Sequence, residues 1–173
     1  MQNSDVFFEQ IVPIKKSGGN WAALIGIWFA AVLLIAFLFL TNILGSFSLI
    51  FCFGIGYGAF WLSNKFNVEF EYIITNGTLD IDKIINKSSR KRILSFELSQ
   101  VTRIEKYNPA AITNINQKEI VVACNPQEAD TYFISADRTG KKSVNLIFSP
   151  NKKLQSAIEK FAPRFLSNNI FKD

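Results

Sequence analysis

From Ser17 to Asn64 the chain runs for 48 residues without an Asp, Glu, Lys or Arg. A core element of a soluble domain has no need of such a run. A bilayer span does, because a charge at the membrane centre costs about 3 kcal/mol. Trp21 to Leu40 (WAALIGIWFAAVLLIAFLFL) holds no charge at all. At about 1.5 Å rise per residue it covers the ~30 Å hydrocarbon core. Ile43 to Leu62 is a second uncharged run, weaker because it carries glycines and serines. One continuous helix would overshoot the bilayer about twofold, so the segment is expected to fold back at Thr41-Asn42 and Gly45-Ser46. The expected spans are 21–40 and 43–62.

Lys15 and Lys16 precede the first span and Lys65 follows the second, while the turn holds no cation. The positive-inside rule then puts both termini in the cytoplasm of a multi-pass plasma-membrane protein. Trp21 and Trp61 fall at the same interface, where indole rings prefer to lie. The first run is too long for a signal-peptide core, lacks a small-x-small cleavage site and is followed at once by another span. Gly26 with Ala30, and Gly54 with Gly58, form small-x-x-x-small pairs at similar depth. They suit close packing of the two helices, or a homodimer through the same face. Gly54 to Gly58 does not read as a nucleotide loop, since no soluble strand leads into it.

Residues 1–20 form a cytoplasmic N-terminal segment. Val6, Phe7, Ile11 and Ile14 can share one side of a short amphipathic helix, limited to about two turns by Pro13. A frayed terminus and a strap across the soluble domain are the other readings.

After Lys65 the pattern alternates. Val68, Phe70, Tyr72 and Ile74 lead to Asn76-Gly77, a strong hairpin signal, and Leu79, Ile81 and Ile85 follow. Lys87 to Arg92 (KSSRKR) reads as a basic loop. Leu94 to Leu98 and Val101 to Tyr107 give two further strands; Glu119 to Cys124, Thr131 to Ala136 and Ser143 to Phe148 give three more. Ser149 as N-cap and Pro150 behind it open a helix whose apolar stripe is Leu154, Ala157, Ile158, Phe161 and Phe165. The expected fold is a transmembrane helical hairpin followed by an α+β domain over 66–173. That domain would be a seven-stranded, partly open antiparallel barrel of two packed sheets, capped by the C-terminal helix.

Tyr72 to Ile81 (YIITNGTLDI), the basic loop, and Arg92 to Glu105 (RILSFELSQVTRIE) resemble the opening of bacterial pleckstrin-homology-like (PH-like) domains. The layout of two spans and then this domain is similar to a family of uncharacterised bacterial two-span membrane proteins. Their N-terminus carries a stretch like Asp5 to Gln10 (DVFFEQ). The resemblance implies a helix-capped PH-like barrel and brings no activity with it.

The chain has no histidine and two cysteines, Cys52 and Cys124. It therefore lacks the commonest general base, a disulfide framework and a zinc pattern. Both cysteines read as small apolar fillers. An enzyme is not expected, and neither is a cofactor or a metal. Glu69, Glu71, Asp80 and Asp82 read as the solvent face of a sheet, paired with Lys83, Lys87 or Arg92. Lys87, Arg90, Lys91 and Arg92 are the densest cationic cluster, either solvated turn residues or contacts to anionic lipid headgroups. Arg138, Lys141 and Lys142 form a second set. A net charge of +5 without interleaved aromatics does not suit nucleic acid. Two functions remain open: a scaffold, adaptor or membrane-surface sensor with an unknown protein partner, or an accessory subunit of a transporter or secretion complex.

Overall fold

A computed structural model describes residues 6–109, 120–137, 143–164, 166 and 171. Its strands and helices are β1 (Phe7–Pro13), α1 (Gly18–Thr41), α2 (Ser48–Asn64), β2 (Val68–Thr75), β3 (Thr78–Ile85), β4 (Ser89–Glu97), β5 (Val101–Lys106), β6 (Ile120–Val122), β7 (Tyr132–Ala136), β8 (Val144–Phe148) and α3 (Lys152–Phe161). They divide into a sheet unit, comprising the segment up to Ile14, residues 69–84 and the chain from Arg90, and a helical unit of residues 15–68 and 85–89.

In the helical unit, Ser17 caps α1 by accepting the Asn20 N–H at 3.3 Å, and Asn42 ends it in the left-handed region. A 3₁₀ turn, Gly45–Phe47, leads into α2. α1, and α2 together with the 3₁₀ turn before it (Gly45–Asn64), are long and apolar enough to cross a membrane. Their polar side chains turn back on their own backbones: Thr41 donates to the Phe37 carbonyl, Ser48 to Gly45 and Ser63 to Ala59. That arrangement spares unsatisfied hydroxyls in an apolar surrounding.

The sheet unit holds two four-stranded sheets, ordered β1-β2-β3-β4 and β5-β7-β8-β6, and no closed barrel is formed by the described residues. The expected count of seven strands is exceeded because the N-terminal segment is not a helix. Phe7–Pro13 is an antiparallel partner of β2, with Phe7 opposite Thr75 and Pro13 opposite Glu69. An edge strand tolerates Pro13, and the alternation of Phe8, Gln10 and Val12 suits a half-buried strand better than a two-turn helix. The expected antiparallel pattern also fails at one place, where β6 pairs parallel with β8. The sheet unit therefore does not begin at residue 66: the two apolar helices are inserted between its first and second strands.

Between the sheets lies a core whose largest fully buried side chains include Tyr72, Phe133, Phe148, Ile74 and Leu146. Leu154, Ala157 and Ile158 bring the apolar stripe of α3 into it. The helix starts two residues later than expected, because Asn151 rather than Ser149 supplies the cap by accepting the Leu154 N–H at 2.9 Å. Phe165 lies outside the described residues. Gly77, at φ +90°, completes the β2–β3 turn with Asn76 at φ +48°. The backbone conformation favours glycine there, and a Cβ would also press on the Phe161 ring from 3.1 Å.

Candidate functional site

The basic cluster lies at the β3–β4 hairpin, but most of it is not a loop. The turn is made by Asn86 and Lys87, both at positive φ, and Ser89–Arg92 are already strand. An extended backbone sends alternate side chains to opposite faces. Arg92 meets carboxylates of the adjacent β3, and Arg90 reaches one on β2 beyond it. Arg92 Nη1 is 2.8 Å from Asp80 Oδ2, and its Nε donates to Asp82 Oδ1 at 2.9 Å. Arg90 Nη1 lies 3.0 Å from Glu71 Oε2, an ion pair whose angle falls short of a hydrogen bond. Lys87 and Lys91 are exposed and form no ion pair among the described residues. Arg138, Lys141 and Lys142 lie outside the described residues.

The carboxylates do not form a solvent face. Glu71 is fully buried and Asp82 nearly so. β1 runs alongside β2 and sets Ile11 opposite Glu71. Burial pushes the Glu71 carboxyl up, and the nearby carboxyl of Glu9 on β1 acts in the same direction against the pull of Arg90. Arg92 took the expected role across the strands; the Arg90–Glu71 pair was not anticipated, because it reaches from β4 past β3 to β2, beyond the adjacent strand of the hairpin. Among the described residues no group of three or more His, Cys, Asp or Glu is placed to hold a metal ion.

A second polar knot lies between the sheets. The Tyr72 hydroxyl donates to the Ala123 carbonyl at 2.6 Å and accepts the Ser149 N–H at 3.3 Å. Thr131 and Ser149 hydroxyls are 3.1 Å apart beside it. Burial raises the Tyr72 phenol well above its ordinary range, and it also pushes the neighbouring Cys124 thiol up. Both groups are thus held in their neutral, unreactive forms, the reverse of what a nucleophile needs. Cys124 packs as an apolar filler with Phe133 and Ile147.

Gln10 on β1 joins this knot to the start of α3. Its Nε2 donates to the Ser149 carbonyl at 2.9 Å, and its Oε1 accepts the Asn151 N–H at 2.8 Å. Sequence reasoning missed Gln10, although its place among β-branched and aromatic neighbours at period two was a readable signal.

In the helical unit the small-residue pairs are not where the helices meet. A Cβ at Gly26, Gly54 or Gly58 would find no atom within 4 Å, and Ala30 is exposed. The seam is formed by Leu24 and Ala31 of α1 with Ser48 and Ala59 of α2, which are the buried residues of the two helices. Cys52 is half-buried on α2. Ala59 directly follows Gly58, so a turn of about 100° per residue separates the glycine face from the seam.

No curated protein and no solved structure matches the chain. The sequence pattern of the bacterial PH-like domain family DUF6106 matches residues 4–168, which takes in β1, both apolar helices and all of the sheet unit down to α3. A match over that extent covers well beyond half of the chain, and the protein belongs to the bacterial PH-like domain family DUF6106.

Proposed function

We propose that the chain is a non-enzymatic integral membrane protein whose hairpin crosses the plasma membrane and holds its PH-like domain on the cytoplasmic side as a scaffold or adaptor for a protein partner. The observation that carries this reading is the insertion of both apolar helices between the paired strands β1 and β2. Ile14 to Ser17 and Lys65 to Asn67 are the whole of the two connections. A domain built from both sides of such a hairpin is committed to the bilayer. The neutral state of Tyr72 and Cys124 and the absence of histidine support a binding role over chemistry.

Direct sensing of anionic lipid by the basic cluster is the weaker reading, since Arg90 and Arg92 spend their charge on Glu71, Asp80 and Asp82. Lys87 and Lys91 alone would contribute only about 1 kcal/mol each at an anionic surface.

The insertion also provides the test against an accessory-subunit role. Residues 18–64 are replaced by an unrelated two-span hairpin, and partners are compared by mass after purification in native lipid discs. An adaptor keeps its partner through the exchange. Loss of a larger membrane protein on exchange would instead make the hairpin the contact and the PH-like domain mainly structural. Vesicle co-sedimentation of residues 6–14 joined by a Gly/Ser linker to residues 66–173, with and without Lys87→Gln and Lys91→Gln, completes the test: salt-sensitive binding lost in the double variant would restore the surface-sensor reading.

A further inference from the structure

The two apolar helices enclose an open-sided groove of about 620 Å³, lined entirely from the helical unit. Its polar groups gather at one end, where Lys16 leads into α1 and Ser63, Asn64 and Asn67 close α2 and follow it. Away from that end the walls are Trp28, Phe29 and Val32 of α1 with Phe60 of α2. From Trp21 to Val32 the groove follows α1 for about 16 Å. No carboxylate lines it. One cation, the two amide side chains of Asn64 and Asn67 and a long aromatic trough form an amphipathic site with a positive mouth.

We propose that this groove binds one anionic phospholipid, with the phosphate at Lys16 and the Asn64 and Asn67 amides and one acyl chain along Trp28, Val32 and Phe60. The inference rests on the membrane reading above, which places the polar mouth at the cytoplasmic interface. A volume of this size is ordinary for a small-ligand site. Charge selects the occupant: a cation in a groove lined by no carboxylate favours an anionic headgroup over a zwitterionic one. The aromatic walls distinguish the site from the convex lipid-facing surface elsewhere on the helices, because only a concave surface desolvates a chain on several sides. Lys65 lies 3.8 Å over the Trp61 ring, whereas Lys16 stands 5.6 Å from Trp21 at the mouth itself.

The test uses the full chain carrying Trp61→Phe, so that Trp21 and Trp28 report. It is reconstituted in phosphatidylcholine vesicles containing either brominated phosphatidylglycerol or brominated phosphatidylcholine, and bromine quenching of tryptophan fluorescence is titrated. Brominated phosphatidylglycerol should reach half-quenching at a mole fraction roughly fivefold lower than brominated phosphatidylcholine. Lys16→Gln should remove that preference. Val32→Phe, which fills the trough and leaves every charge in place, should remove it too. Equal quenching by the two lipids, or a preference that survives either substitution, overturns the groove site and leaves the membrane reading standing. Absence of quenching by both lipids overturns the membrane reading itself.

Discussion

Tyr72 shows how much a single buried hydroxyl can hold. It is fully enclosed, and it satisfies the Ala123 carbonyl on one side and the Ser149 N–H on the other. Tyr72→Phe keeps the ring and its edge-on contact with Phe148 but strands both backbone groups. The expected loss is about 1–3 kcal/mol, read as a lower urea midpoint of the full chain in detergent. Glu71 makes a different prediction. Its carboxyl is held above the ordinary value of 4.5, first by burial, so the folded chain binds that proton more tightly than the unfolded chain does. The sign follows from linkage: stability from this group is fully present below 4.5 and falls as pH rises from there through the folded value. Glu9 on β1, Asp82 on β3 and Arg90 on β4 face the same carboxyl and set the width of the window. Glu71→Gln should flatten the fall in urea midpoint above pH 4.5; an unchanged profile would remove Glu71 from the pH dependence.

At the scale of elements, β1 decides the most. It is tied at three places: Val6 and Asn76 exchange bonds at 3.1 Å, Gln10 clamps Ser149 and Asn151, and Asn125 donates to the Pro13 carbonyl at 3.2 Å. A fragment of residues 66–173 therefore lacks an edge strand and uncovers the ladder of β2. Residues 6–14 joined by a Gly/Ser linker to residues 66–173 should unfold cooperatively as a monomer, while 66–173 alone should aggregate or lose cooperativity. Calorimetry and light scattering on the two proteins check this. Equal behaviour would make β1 an accessory strap. The β2–β3 hairpin was legible because Val68 to Tyr72 alternates apolar and acidic residues and Asn76-Gly77 is turn chemistry of a specific kind. The N-terminal strand was obscured by seven residues whose apolar positions fit either period, and its partner, β2, lies beyond both helices in sequence. The same limit applied to Ser89–Arg92: a run of cations reads as a loop until the carboxylates opposite it are known.

For the whole molecule, the insertion of the hairpin sets one topological condition: β1 and β2 are neighbours, so the start of α1 and the end of α2 return to the same side of any membrane they cross. Impermeant maleimide labelling checks the side in a chain with Cys52→Ala and Cys124→Ala. Ser46→Cys in the turn should react in sealed right-side-out vesicles, and Ser156→Cys on α3 should react only after lysis. The reverse pattern would invert the orientation.

Local chemistry alone determined the two apolar helices, the fold-back between them, the Asn76-Gly77 hairpin and the amphipathic C-terminal helix. Each of those rests on charge exclusion, side-chain period or turn geometry within a few residues. Tertiary structure decided what became of groups whose partners are distant. Gln10 meets α3 across 139 residues or more, Arg90 finds Glu71, and the Gly26 and Gly54 faces turn away from the seam taken by Ala31 and Ala59. The physical reason is that burial and pairing are properties of neighbours in space, and a sequence pattern specifies only which face of its own element a residue occupies.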